Sequence, residues 1–156
     1  MPAGIKILKA HTSDLPEILE LQKLCFAENA IRYNDPNIPP LKQTLNELTE
    51  EAKSHVILKA VDGSKIIGSV RGCRKTDHCY IGRLIVHPDH QNQGIGRRLM
   101  AAMENEFGDS VFELTAGHLD DKNISLYGKL GYKTYGEEKI SDNLSFVLMR
   151  KNLKHE

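Results

Sequence analysis

LIVHPDHQNQGIGRRL, residues 84–99, carries more information than any other stretch of this 156-residue chain. It opens on an apolar run that His87-Pro88 stops, passes through a polar loop, and ends in a helical repeat continued by Leu99, Ala102 and Met103. The local plan is therefore strand, loop, helix. Gln91, Gly94 and Gly96 make the spacing Q-x-x-G-x-G at the strand-to-helix junction. Glycines there leave backbone N–H groups unobstructed, and with the positive end of the helix dipole they form an anion cradle suited to a pyrophosphate. Arg97 and Arg98 in the first turn oppose the dipole unless an anion sits nearby. No Gly-Lys-Ser/Thr follows, so this is not a Walker loop. The third glycine of G-x-G-x-x-G is missing as well, so ATP and NAD are both disfavoured. A loop of this kind can also do no more than turn a strand into a helix.

Working outward, Ile5 to Leu8 reads as a first strand. Ser13 or Asp14 caps a helix, with Asp14 and Glu17 at capping-box spacing. A second helix is expected from about Leu41 to Lys53, after the breaks at Asn34-Asp35-Pro36 and Pro39-Pro40. HVILKAV (55–61) and KIIGSVRG (65–72) flank Asp62-Gly63-Ser64, a hairpin signal. CYIGRLIV (79–86) is a third strand of this run. After the helix beginning near Ile95 come a strand at 111–116, a short helix carrying Ile124, Leu126, Tyr127 and Leu130, and Gly131 as its left-handed cap. A strand at 145–150 closes the chain, with one more near 133–138. The expected fold class is a mixed α/β (α+β) sandwich rather than a regular alternating βαβ fold.

Composition narrows the field. Lys plus Arg and Asp plus Glu both number 21, which argues against a general nucleic-acid binder. No apolar run approaches the ~20 residues needed to cross a bilayer. The first ten residues lack a signal-peptide pattern. Cys25, Cys73 and Cys79 form neither a disulfide framework nor a metal knuckle, and the histidines lack ligand spacing, so no metal is expected. The expectation is one soluble cytoplasmic domain over residues 1–156, with no nucleic-acid and no membrane partner.

The block R-L-I-V-H-P-x-x-Q-x-Q-G-I-G-R-x-L, with N-I-S-L-Y-G-K-L-G-Y about thirty residues later, closely resembles the GNAT superfamily of acyl-CoA N-acyltransferases. The resemblance is specific over residues 79–132 and generic before residue 55. It implies a mostly antiparallel central sheet with a V-shaped splay after the fourth strand, flanked by about four helices. It implies acetyl-CoA as acetyl donor, with the pyrophosphate on Gln91, Asn92, Gln93, Gly94, Ile95 and Gly96 and on the amides of Arg97 and Arg98. The pantetheine is expected against Leu84, Ile85 and Val86, the Val86 amide serving as oxyanion donor. Tyr127 is the expected proton donor to the departing thiolate. Asn123, four residues earlier, shares its face and reaches the pantetheine amides.

The family's frequent strand carboxylate is missing, because Tyr80, Ile81, Gly82 and Arg83 occupy that region. Glu113, His78 and His118 are weak base candidates, and a water chain is an equal alternative. No nucleophile-elbow sequence is present, so direct transfer through a tetrahedral intermediate is expected. By family analogy the acceptor enters near Phe26, Glu28, Tyr33 and Asp35, faced by His118 and residues 134–144. Three readings follow: acetylation of a small-molecule amine, acetylation of a protein N-terminus or lysine, and a non-catalytic acetyl-CoA-binding module. Family habit adds a homodimer.

Overall fold

The computed structural model describes residues 4–154. Seven strands form one sheet in the order β1-β2-β3-β4-β5-β7-β6. They are β1 (Ile5–Lys9), β2 (Val56–Asp62), β3 (Lys65–Arg74), β4 (Cys79–Val86), β5 (Val111–Gly117), β6 (Lys133–Lys139) and β7 (Ser145–Asn152). The hairpin read from Asp62-Gly63-Ser64 is present: Asp62 pairs with Lys65, and Gly63 supplies the positive φ its turn needs. β3 is buried along all but its terminal residues, as expected for a strand covered on both faces. The expected strand near 133–138 is β6, and β7 inserts between it and β5.

α1 (Leu15–Arg32) and α3 (Leu45–Ala52) cover one face, where Leu15, Ile18, Leu21 and Leu48 pack with Ile57, Ile66 and Ile85. A larger cluster joins the sheet to α4 (Ile95–Phe107) and α5 (Asp121–Lys129), through Leu99, Met100, Met103 and Tyr127 against Ile67, Val70, Ile81, Phe112 and Met149.

Two helix readings need correction. The helix expected over 41–53 is two pieces, α2 (Pro39–Lys42) and α3. Gln43 and Thr44 are extended between them, because Thr44 and Glu47 form a reciprocal capping box that starts α3 afresh. Asp14 and Glu17 do not form a capping box. Asp14 accepts from the His11 N–H and pairs with Lys59, each at 2.7 Å, while Glu17 accepts from the Ile66 N–H at 2.8 Å. Tertiary partners outcompete the local cap.

The seam between β4 and β5 positions everything that follows. The two strands run parallel and pair only at Cys79–Phe112 and Tyr80–Glu113, then part. A bulge in β4 accompanies the parting. Between the pairs Ser69–Ile85 and Arg71–Gly82, one residue of β3, Val70, stands opposite two of β4, Leu84 and Arg83. Arg83 sits in this bulge with φ 53°, a left-handed conformation rare for a side chain of its size. The extra residue changes the strand's parity: Cys79 and Ile81 face the larger cluster before it, Leu84 and Val86 after it.

Candidate active site

A cavity of about 810 Å³ opens where β4 and β5 diverge. Its walls come from α1, β4, the 87–94 loop, the start of α4, the end of β5 and α5. Val86 faces into the seam for a simple reason. The His87 N–H donates to Ile67 O at 2.8 Å, which makes Gly68–Val86 the non-hydrogen-bonded pair of this antiparallel ladder. The Val86 N–H and C=O therefore point away from β3, toward the side that β5 has vacated. The Val86 carbonyl accepts from Gln91 Nε2 at 3.2 Å and from Cys25 Sγ at 3.4 Å. Burial pushes the Cys25 thiol up to about 11, the Val86 carbonyl contact opposing it, so this sulfur is a hydrogen-bond donor rather than a nucleophile.

The loop ahead of α4 bends through two left-handed residues, Asn92 (φ 64°) and Gly94 (φ 78°). Gly94 is the N-cap of α4 and offers no side-chain cap. The first intrahelical bond runs from the Arg98 N–H to Gly94 O, so the amides of Gly94, Ile95, Gly96 and Arg97 precede the helix ladder. Gly96 lies close to the opposite wall, where an added Cβ would stand 3.4 Å from Leu126 and 3.8 Å from Leu84. Arg97, Lys122 and Lys129 line this end of the cavity. Lys122 donates to Gln91 Oε1 at 3.0 Å, so Gln91 ties β4 to α5 across the mouth of the seam.

Tyr127 lies on the α5 wall, its ring edge-on to Tyr132 and 6 % exposed. Its hydroxyl bonds to none of the described residues, yet no buried side-chain oxygen is left unsatisfied; the hydroxyl therefore opens onto the cavity. Burial, reinforced by the charges of Asp120 and Tyr80, pushes its pKa well above the ordinary phenol value, so it stays protonated and able to donate. Asn123 is tied back to the α5 N-cap Asp120, through its amide at 3.0 Å and its backbone N–H at 3.3 Å.

The α1 side of the cavity is polar. Arg71, only 3 % exposed, contacts Glu51 and Gln22 directly and Gln43 at 3.3 Å. Gln43 also donates to Glu51 at 3.1 Å, and His55 Nε2 lies 3.9 Å from Glu51. Burial opposes ionisation of Glu51, but Arg71 and Gln43 hold its pKa below the usual carboxylate value. Tyr33, the C-cap of α1, reaches across to accept from the Leu119 N–H at 3.1 Å. Any side chain at Gly117 would collide with it, an added Cβ falling 2.7 Å from Tyr33 Cζ. Tyr33 is thus a bolt between α1 and the end of β5.

Of the residues singled out from sequence, Leu84, Ile85, Val86, Gln91, Asn92, Gly94, Ile95, Gly96, Arg97, Asn123 and Tyr127 converge on this one cavity. Gln93 and Arg98 stand outside its lining; the Arg98 amide is engaged in α4 and its guanidinium donates to Ile5 O at 2.9 Å. Phe26, Glu28 and Tyr33 line the α1 side, whereas Asp35 turns away to accept from the Asn37 N–H at 2.9 Å. None of the three base candidates lines the cavity. Glu113 is occupied by Tyr135 and Arg150 with His78 at 3.7 Å, and His118 ties β5 to Ser145. Sequence reasoning missed Glu51, Arg71, Cys25 and Lys122.

Among the described residues no helix is long and apolar enough to cross a membrane, and no group of His, Cys, Asp or Glu is placed to hold a metal ion. The uncharacterized protein YrkN of Bacillus subtilis (strain 168) is 28% identical over 130 residues, covering 79% of this chain and 70% of YrkN. The ribosomal-protein-S18-alanine N-acetyltransferase of Escherichia coli has a similar structure, with TM-score 0.80 and 17% identity, covering 97% of this chain and 96% of that one. PaiA N-acetyltransferase of Thermoplasma acidophilum, solved in complex with coenzyme A, matches with TM-score 0.73 and 21% identity, covering 95% and 98%. The profile of the acetyltransferase (GNAT) domain matches residues 29–153. The splayed seam, the glycine loop and this match agree, and the chain belongs to the GNAT family of acetyltransferases.

Proposed function

We propose that this protein moves an acetyl group from acetyl-CoA directly to the primary amine of a small molecule. The observation that carries the reading is the opposition, within one cavity, of the Val86 N–H and the uncapped start of α4. The cavity's own residues fit the donor. Four amides at a helix N-terminus, with Arg97, Lys122 and Lys129 around them, suit a pyrophosphate. The vacated edge of β4 suits an extended amide-bearing chain that adds like a strand. The PaiA structure, which holds coenzyme A, supports the same choice.

When bound, the donor supplies its acetyl group as an activated thioester. The Val86 N–H stabilises the oxyanion that develops on the thioester carbonyl, a contribution of roughly 3–4 kcal/mol where such donors have been removed. The Tyr127 hydroxyl gives its proton to the sulfur as the carbon–sulfur bond breaks, and solvent restores that proton. The attacking amine sheds one proton to water in the cavity, since each carboxylate of the lining is already engaged, Glu51 by Arg71, Glu28 by Arg32 and Asp120 by Asn123. Tyr33, Ile38, Pro39 and Pro40 wall the acceptor side, which favours a small amine over an extended peptide.

Calorimetric titration with acetyl-CoA, with ATP and NAD as controls, tests the donor. Micromolar binding of acetyl-CoA alone is expected, followed by amine-dependent thiol release. Absence of binding refutes the reading.

A further inference from the structure

The charges on the α1 side do not balance. Arg71 and Arg83 both face this part of the cavity, and Glu51 is the carboxylate whose charge reaches both. Glu51 is already committed: its oxygens serve Arg71, Gln43 and His55. The remaining lining groups on this side pair with each other, Arg32 with Glu28 at 3.2 Å and with Asn29 at 3.1 Å. Among the described residues the Arg83 guanidinium has no ion pair and no hydrogen-bond partner. Its guanidinium lies 6.0 Å from the centre of the Phe26 ring, half-buried and flanked by an arginine that repels it.

Such an arrangement is costly without an anion, because a partly desolvated guanidinium keeps its charge and its five donors. The backbone pays as well. The β4 bulge that aims Arg83 at α1 requires a left-handed φ of 53° in a long side chain. Had the strand kept its alternation, residue 83 would share the face of Cys79 and Ile81, inside the apolar cluster. Local strain, burial and an unmatched charge thus coincide at one residue.

We propose that Arg83 binds the carboxylate of the acceptor, so that the substrates of this enzyme are small amino acids or related amines carrying a carboxylate. The inference rests on the acetyl-transfer reading above and narrows its acceptor. One surplus positive charge matches a monoanion better than a phosphate dianion. Arg83 precedes Val86 by three residues on one strand, a backbone span of about 10 Å, so amine and carboxylate must be only a few bonds apart. Phe26 beside the guanidinium offers an apolar surface to the substrate's side chain. Planar guanidinium-to-carboxylate pairing in this setting is worth on the order of 10–100-fold in affinity.

The test compares amino acids with their carboxamides and with phosphate-bearing amines, as kcat/KM per unprotonated amine from thiol release. In parallel, coenzyme A-loaded protein is titrated calorimetrically with N-acetyl amino acids and N-acetyl amino acid amides. A preference of at least tenfold for the acids is expected in both. Arg83→Gln should erase it and Arg83→Lys should retain part, with acetyl-CoA affinity within about threefold of the parent. Equal use of acids and amides, preference for the phosphates, no binding or turnover of either class, or an unchanged ratio in Arg83→Gln each overturns the proposal. If coenzyme A itself fails to bind, the donor reading fails, and this inference falls with it.

Discussion

Removing one oxygen atom, in Tyr127→Phe, separates chemistry from architecture at this site. The ring is 6 % exposed and packs edge-on to Tyr132, and phenylalanine keeps those contacts. The hydroxyl bonds to none of the described residues, so its removal orphans no partner, and the stability cost should stay within about 0.5 kcal/mol. Acetyl-CoA affinity should remain within about threefold of the parent for the same reason. If the hydroxyl protonates the leaving sulfur, kcat should fall on the order of 100-fold, the lower end for general-acid catalysis and about 2.7 kcal/mol of barrier. Burial holds the phenol protonated, so the parent's kcat should show no loss attributable to Tyr127 up to about pH 10. Steady-state thiol release, calorimetry of acetyl-CoA and a thermal melt together decide the matter. A kcat within about threefold of the parent, with binding and melting unchanged, refutes the assignment. A parallel loss of melting temperature and affinity would make Tyr127 a packing residue instead.

Gly94→Val should weaken acetyl-CoA binding on the order of tenfold. The position needs φ 78° and has open space around its missing Cβ, so the cost is conformational, about 1–2 kcal/mol; Gly94→Asn should be milder, and calorimetry distinguishes them. Glu51→Ala strands the buried Arg71 guanidinium and should cost about 3–5 kcal/mol, a fall on the order of 10 °C in Tm for a chain of this size. Replacing both residues with apolar ones should cost less. Tyr33, Tyr127 and Tyr132 all have pKa values raised, chiefly by burial. The native state then keeps phenolic protons that the unfolded chain gives up near pH 10, so stability is full below that pH and falls as pH rises past it. Urea midpoints measured from pH 8 to about 11 check the slope.

Sequence patterns disclosed those parts of the molecule whose causes are local. The β2–β3 hairpin followed from its Asp-Gly turn, β4 from an apolar run ended by His87-Pro88, and α4 from its apolar spacing with a glycine at the N-cap. The loop before α4 and the helix's first turn were legible as a unit because they are contiguous, and the structure sets most of them along one cavity. The polar cluster was not, because Gln22, Gln43, Glu51 and Arg71 meet only after α1, α3 and β3 have packed. The α1 cap was misread because Lys59 and Ile66, brought close by the sheet, claim Asp14 and Glu17. Insertion of β7 between β5 and β6 likewise has no local signature, since Gly131 and the 140–144 turn are compatible with either neighbour.

The two-pair seam between β4 and β5 leaves open strand borders in the middle of a sheet rather than at its rim. Unpaired borders recruit foreign strands, and most folds shield them with charge, proline or a covering element. Here the shield is architectural. Tyr33 bolts α1 over the end of β5, and Gln91 with Lys122 straps the far side, so a second polypeptide has no clear approach. A slender linear ligand does, and by completing the sheet it removes the hazard. The opening therefore selects by width: a single narrow chain can complete the sheet, and a second protein strand cannot.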